Sequence, residues 1–272
     1  MKIFDCDPLL TPLDIRAGEM IYVSSELLLP MWRAKKRGEV FEPDALIDAL
    51  QRRVTSEGTL LIPAYNFDFS NKGSYDIRHS KSSVGHLANV AMERSDFVRT
   101  RHPIHSLMVW GREAGTLQEM DNLNSFGKDT PFALMIERGA REIGIGLGSY
   151  GKATTFVHEV EVEARVPYRF TKRFTGSYTD ENGKTMERTF LYAARDYSLT
   201  YTKHEEGLAR ILEENGASFR TEADGVPLYS VDMKKAYPAL YRLFTTDRCE
   251  GYLDFSIDRD YLFGGGYEVC RD

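Results

Sequence analysis

Thr154-Thr155-Phe156-Val157-His158-Glu159-Val160-Glu161 sets an imidazole and a carboxylate three positions apart. On a helix, positions i and i+3 share a face. A carboxylate beside an imidazole fixes its tautomer and raises its basicity, so His158 could take a proton from an attacking amine with Glu161 as its partner. Glu159, one step on, points elsewhere. The same spacing also arises as an ordinary surface pair worth about a few tenths of a kcal/mol. Spacing alone leaves both readings open.

Three other groups of residues could bind a ligand. Arg99-Thr100-Arg101-His102-Pro103-Ile104-His105-Ser106 carries two arginines, two histidines and a serine into a strand. They could meet an anion, or form a rigid hydrogen-bonded corner stiffened by Pro103. Ser24-Ser25 ends an apolar run, where hydroxyls and amides can bond the amide groups of an extended ligand arm or simply make a turn. Ser80-Lys81-Ser82-Ser83-Val84-Gly85 precedes a helical pattern, whose free N–H groups suit a phosphate or an ordinary cap. The glycines between 144 and 151 fit neither a dinucleotide fingerprint nor a P-loop, which argues against nucleotide hydrolysis.

These residues need elements to position them. The pattern predicts a strand at 19–23 ending at Ser24-Ser25, then a helix from Pro43 with Leu46, Ile47, Leu50 and Val54 on one face. A buried strand at 59–62 is stopped by Pro63. Residues 65–81 lack a clear period and read as a loop following a strand end, where α/β folds tend to place sites. A helix is predicted at 84–94, a strand at 106–110, a short helix at 131–138, a strand at 143–148, and a helix at 154–164 capped by Thr154 or Thr155. Two β-like runs, 168–178 and 187–194, flank Asn182-Gly183, a hairpin-turn signal. Helices follow at about 203–215 and 233–244. Alternation of strands and helices suggests an α/β chain in three layers. One domain over 1–272, with a hairpin inserted at about 168–195, is the expected organisation.

Composition narrows the function. The chain has 272 residues, 35 basic against 41 acidic, for a formal net charge of −6. That disfavours binding to the phosphate backbone of nucleic acid and suits a neutral or cationic small partner. No stretch approaches the roughly 18–20 apolar residues of a membrane-spanning helix. The first residues carry acids where a signal peptide would be apolar, so a cytoplasmic protein is expected. Cys6, Cys249 and Cys270 are widely spaced with no C-x-x-C, which argues for reduced structural thiols rather than a disulfide framework or a cysteine metal site.

Taken in order, five segments resemble the aminoglycoside 3-N-acetyltransferase family, a group distinct from the GNAT acetyltransferases. Val23-Ser24-Ser25-Glu26-Leu27 is similar to the family's strand followed by Ser-Ser-x-Leu. Glu57-Gly58-Thr59-Leu60-Leu61-Ile62-Pro63 is similar to its E-G-T-L-x-x-P strand, and residues 80–85 to its T-P-S-x-x-G turn. Residues 99–111 resemble its R-S-x-H-P-x-x-S…W-G segment, and residues 155–161 its T-x-x-H-x-x-E helix. The likeness runs from about residue 13 to 176 and more loosely beyond.

The resemblance implies a three-layer αβα fold with a mixed central sheet. It implies acetyl-CoA as donor, held by Ser24, Ser25, Ser80, Ser82, His102, His105 and Ser106, and no metal. It also implies His158 as base, Glu161 as its partner, and direct transfer, since no cysteine falls in these motifs. The acceptor is expected to be a small-molecule amine, an amino sugar or an aminoglycoside-like compound. Tyr65 and Asp68 on the loop are its expected contacts, Asp68 because an anion there would steer a cation.

Departures exist. Lys152-Ala153-Thr154-Thr155 replaces Asp-Ser-Asn-Thr, and Ser80-Lys81 replaces Thr-Pro. The stretch after Pro63 is short. With Tyr65-Asn66-Phe67-Asp68 and the segments at 166–170 and 174–176, it resembles members tied to surface polysaccharide or secondary metabolism. This moves the expected acceptor away from an antibiotic. Two competing readings are a metal hydrolase using His102, His105, His158 and Glu161, and a non-catalytic binding protein of the same fold. A homodimer is compatible with the sequence.

Overall fold

The computed structural model describes residues 2–150 and 153–267. Lys152 of the departing motif and Cys270 lie outside them.

Seven strands form one sheet, in the spatial order Ser218–Ala223, Val226–Asp232, Arg141–Ile145, Met20–Ser25, Thr59–Pro63, Leu107–Gly111 and Val98–Arg99. Met20–Ser25 runs parallel to both of its neighbours, and the remaining pairs are antiparallel, so the sheet is mixed. Alternation along each strand feeds two separate cores. Met20, Tyr22, Leu61, Leu107 and Val109 face one core; Ile21, Val23, Leu60, Ile62 and Met108 face the other. On the first side pack helices Pro131–Arg138, Val157–Glu163, Glu205–Glu214 and Met233–Thr245. On the second lie Pro43–Val54 and His86–Met92. Helices on both faces of a mixed sheet make the expected three-layer αβα arrangement.

Arg169–Thr179 and Thr185–Arg195 pair antiparallel over their full lengths, and Ser74–Asp76 adds a third, parallel strand beside the first of them. The expected loop at 65–81 therefore contains a short helix, Asp68–Lys72, and that strand. Phe69, Tyr75, Ile77, Ile104, Tyr178 and Phe190 bury one another beneath the hairpin. The turn closes on Asp180, whose carboxylate accepts from the N–H of Asn182 and Lys184, with Gly183 at φ +82° as the Asn-Gly signal requires.

Two expectations are corrected. The strand before the predicted site helix ends at Ile145 because Gly146 turns at φ +75°, where a Cβ would meet Glu26 O at 2.0 Å. Neither Thr154 nor Thr155 caps the helix. Their hydroxyls donate backwards to the carbonyls of Tyr150 and Ala153, and the helix begins at Val157 behind an uncapped Phe156. Among the described residues no helix is long and apolar enough to cross a membrane. Cys6 and Cys249 are buried free thiols.

Candidate active site

The Val157–Glu163 helix buries Val157 and Val160 in the first core, which turns His158 and Glu161 together towards the base of the hairpin. His158 Nδ1 lies 2.6 Å from Glu161 Oε2. Tyr168 donates to Glu161 Oε1 at 2.9 Å, and Arg169 Nε donates to Oε2. Burial alone would raise the Glu161 carboxyl, but Arg169 and the imidazole outweigh it and hold it at about 2. The carboxylate is therefore ionised and can only accept. An ionised carboxylate at 2.6 Å assigns the ring hydrogen to Nδ1 and the lone pair to Nε2, with Arg169 Nη2 2.8 Å from the first and 3.4 Å from the second.

His158 itself is held below its ordinary value by burial and by Arg169, against the pull of Glu161. The shift favours the neutral form of the ring. A third of its side chain is exposed, whereas Glu161 is almost wholly buried.

A narrow cavity of about 180 Å³ opens at the end of the Met20–Ser25 strand, lined by Ser24, Ser25, Tyr65, Gly85, Leu147 and Thr155 among others. Buried Tyr22 and Tyr65 join their hydroxyls at 2.6 Å in its floor. Thr155 links the cavity to His158, because its carbonyl accepts the N–H of His158 at 3.0 Å. Rings link them too. Tyr65 meets His105 at 4.7 Å between centroids, His105 meets Phe126 at 4.8 Å, and Phe126 meets His158 edge-on at 5.7 Å.

Other residues singled out from the sequence occupy different places. Ser106 donates to Ala64 O and accepts from Arg99 Nε, while Arg99 also donates to the carbonyls of Ala64, Ile77 and Ser80. This segment fastens the 64–80 region to the sheet. His102 is buried, donates from Nε2 to Leu191 O at 3.2 Å, and is pushed down by burial to about 4. His105 is buried among rings and lowered by burial and by its neighbour His102. Ser80 accepts from Asp76 N–H, and Ser82 bonds across to Val84 and Asn89. Asp68 is exposed and paired with Lys72 at 2.7 Å. Among the described residues no group of three or more His, Cys, Asp and Glu is arranged to hold a metal ion.

Three residues were given no role at the site from the sequence. Arg169 and Tyr168 approach Glu161 from the hairpin, and no local spacing ties them to His158. Glu159 faces away from His158, as its position predicts, but it accepts from Gly127 N–H with both oxygens, at 2.8 and 2.9 Å, and from Thr130. It thereby holds the loop that sets Phe126 against the His158 ring.

A sequence profile of the aminoglycoside 3-N-acetyltransferase family matches residues 37–245, and the chain belongs to that family. It is accordingly an acyltransferase of the acetyl-CoA-dependent N-acetyltransferase class. The crystal structure of aminoglycoside acetyltransferase AAC(3)-Xa is similar in fold, with a TM-score of 0.71 at 20% identity over 86% of this chain and 88% of that one. AAC-IIIb in binary complex with CoASH gives 0.71 at 19% identity, over 88% and 94%. YokD from Bacillus subtilis gives 0.68 at 17% identity, over 89% and 98%. No curated protein matches the sequence significantly.

Proposed function

We propose that the chain moves an acetyl group from acetyl-CoA directly to the amine of a small acceptor, such as an amino sugar, with His158 as general base. The observation that carries this reading is the placement of His158, with Nδ1 2.6 Å from Glu161 Oε2 and the ring one residue contact, through Thr155, from the cavity. The acceptor ammonium first loses a proton to water. Its nitrogen then attacks the thioester carbonyl as Nε2 takes the second proton, the C–S bond breaks, and that proton returns to the leaving thiolate. General base help of this kind is worth roughly 10²–10⁴ in rate.

Ser24 and Ser25 would meet the amides of the pantetheine arm in the cavity, and Tyr65 would face the acyl end. A surface groove on the far side of the His86–Met92 helix carries Arg78, His79, Lys81 and His86 and suits the phosphates of the nucleotide. Ser80, Ser82, His102, His105 and Ser106 would act by holding these walls in place. That a structurally similar protein binds CoASH supports the cosubstrate. The test is release of free thiol from acetyl-CoA with a panel of amines containing aminoglycosides and amino-sugar derivatives. The reading expects amine-dependent release; release that ignores the amine would contradict it.

A further inference from the structure

Arg169 is the charged group at the base that proton transfer leaves unused. Its Nε serves Glu161 and its Nη1 donates to Ala193 O at 3.0 Å, which fixes the guanidinium in the hairpin. Nη2 is different. It stands 2.8 Å from Nδ1 and 3.4 Å from Nε2 of His158. Nδ1 already directs its hydrogen at Glu161, so it offers Nη2 no lone pair. The Nε2 lone pair is the one that must receive the substrate proton. A nearly buried guanidinium edge (its side chain is 9% exposed) thus lies beside the reaction position, and the one lone pair within its reach there, on Nε2 at 3.4 Å, is the one the reaction needs. Lys203 adds a second positive influence on the ring, and Glu161 is already engaged.

A polycationic acceptor would bring further ammonium groups against this edge. An acceptor with an acidic oxygen close to its reacting amine would complete it. The geometry points to an acceptor that carries a carboxylate or phosphate next to the amine, with Arg169 Nη2 donating to that oxygen while His158 Nε2 takes the amine proton. Arg169 is then a specificity-determining residue. This rests on the acetyl-transfer reading above and narrows its acceptor.

The experiment compares kcat/KM for four acceptors, D-glucosamine, D-glucosamine 1-phosphate, D-glucosaminic acid and kanamycin, in the wild type, Arg169→Gln and Arg169→Lys. The wild type should prefer one of the two anionic acceptors over glucosamine by about tenfold or more, with kanamycin poorest. Which anion wins separates phosphate from carboxylate. In Arg169→Gln the anionic-to-neutral ratio should fall towards one, and Arg169→Lys should keep part of it. A purely structural Arg169 would lower all four acceptors in proportion and leave the ratio unchanged, which overturns the inference, as does a wild-type preference for kanamycin. Should Arg169→Gln fail to fold, the wild-type ratio decides, together with inorganic phosphate, which should compete with the acceptor. Absence of thiol release with every amine overturns the proposed function and this inference with it.

Discussion

Glu161 Oε2 lies 2.6 Å from His158 Nδ1, while Nε2 has Arg169 Nη2 at 3.4 Å. The carboxylate is gripped by Tyr168 and Arg169, so it cannot swing away as the ring gains a proton. Glu161→Gln would keep the shape and remove the charge that stabilises the imidazolium. It should lower kcat by about 10²-fold with little change in the KM for acetyl-CoA, read by steady-state kinetics.

The pH profile should carry the same signature. His158 is held below 6.5, so the acid limb of kcat/KM should fall below the ordinary histidine range. Arg169 is one of the groups lowering it, so Arg169→Gln should move that limb to higher pH. Glu161 acts in the opposite sense, and Glu161→Gln should move it lower.

Glu159 serves the loop rather than the chemistry. Glu159→Ala would strip both acceptor oxygens from Gly127 N–H and should cost about 1–3 kcal/mol in a denaturant titration. Phe126 would loosen from His158 as well, so turnover should fall while acetyl-CoA binding is kept.

Glu142 sits wholly buried in the sheet, and burial pushes its carboxyl up to about 8. Tyr229 donates to one oxygen at 2.8 Å, and the ring fits there because residue 144 is glycine, where a Cβ would meet it at 2.0 Å. Between the ordinary 4.5 and about 8 the folded chain holds a proton that the unfolded chain does not. Its contribution is full below 4.5 and is lost as pH rises through about 8, on the order of 1 kcal/mol per pH unit. Glu142→Gln should flatten melting temperature against pH across that window.

The sequence announced the elements with strong local logic. Helices Pro43–Val54 and Pro131–Arg138 start at a proline with apolar residues at helical spacing, and the hairpin carries Asn182-Gly183 at its turn. Ser218–Ala223 and Val226–Asp232 were not anticipated. The outer strand is largely exposed and polar, although Asp224-Gly225 between the two was a usable turn signal. Ser74–Asp76 escaped because three residues carry no period, and its partner strand lies a hundred positions away. At the site, His158 and Glu161 were readable because one helix turn joins them. Arg169 was not, because its approach to the ring is set by how the hairpin docks, which no local spacing encodes.

The most direct test measures acetyl-CoA turnover and CoA affinity together in His158→Ala. If Nε2 takes the proton from the incoming amine, kcat should drop by roughly 10²–10⁴ while the Kd for CoA, read by calorimetry, stays within about twofold. Turnover equal to wild type with the best acceptor would contradict the assignment.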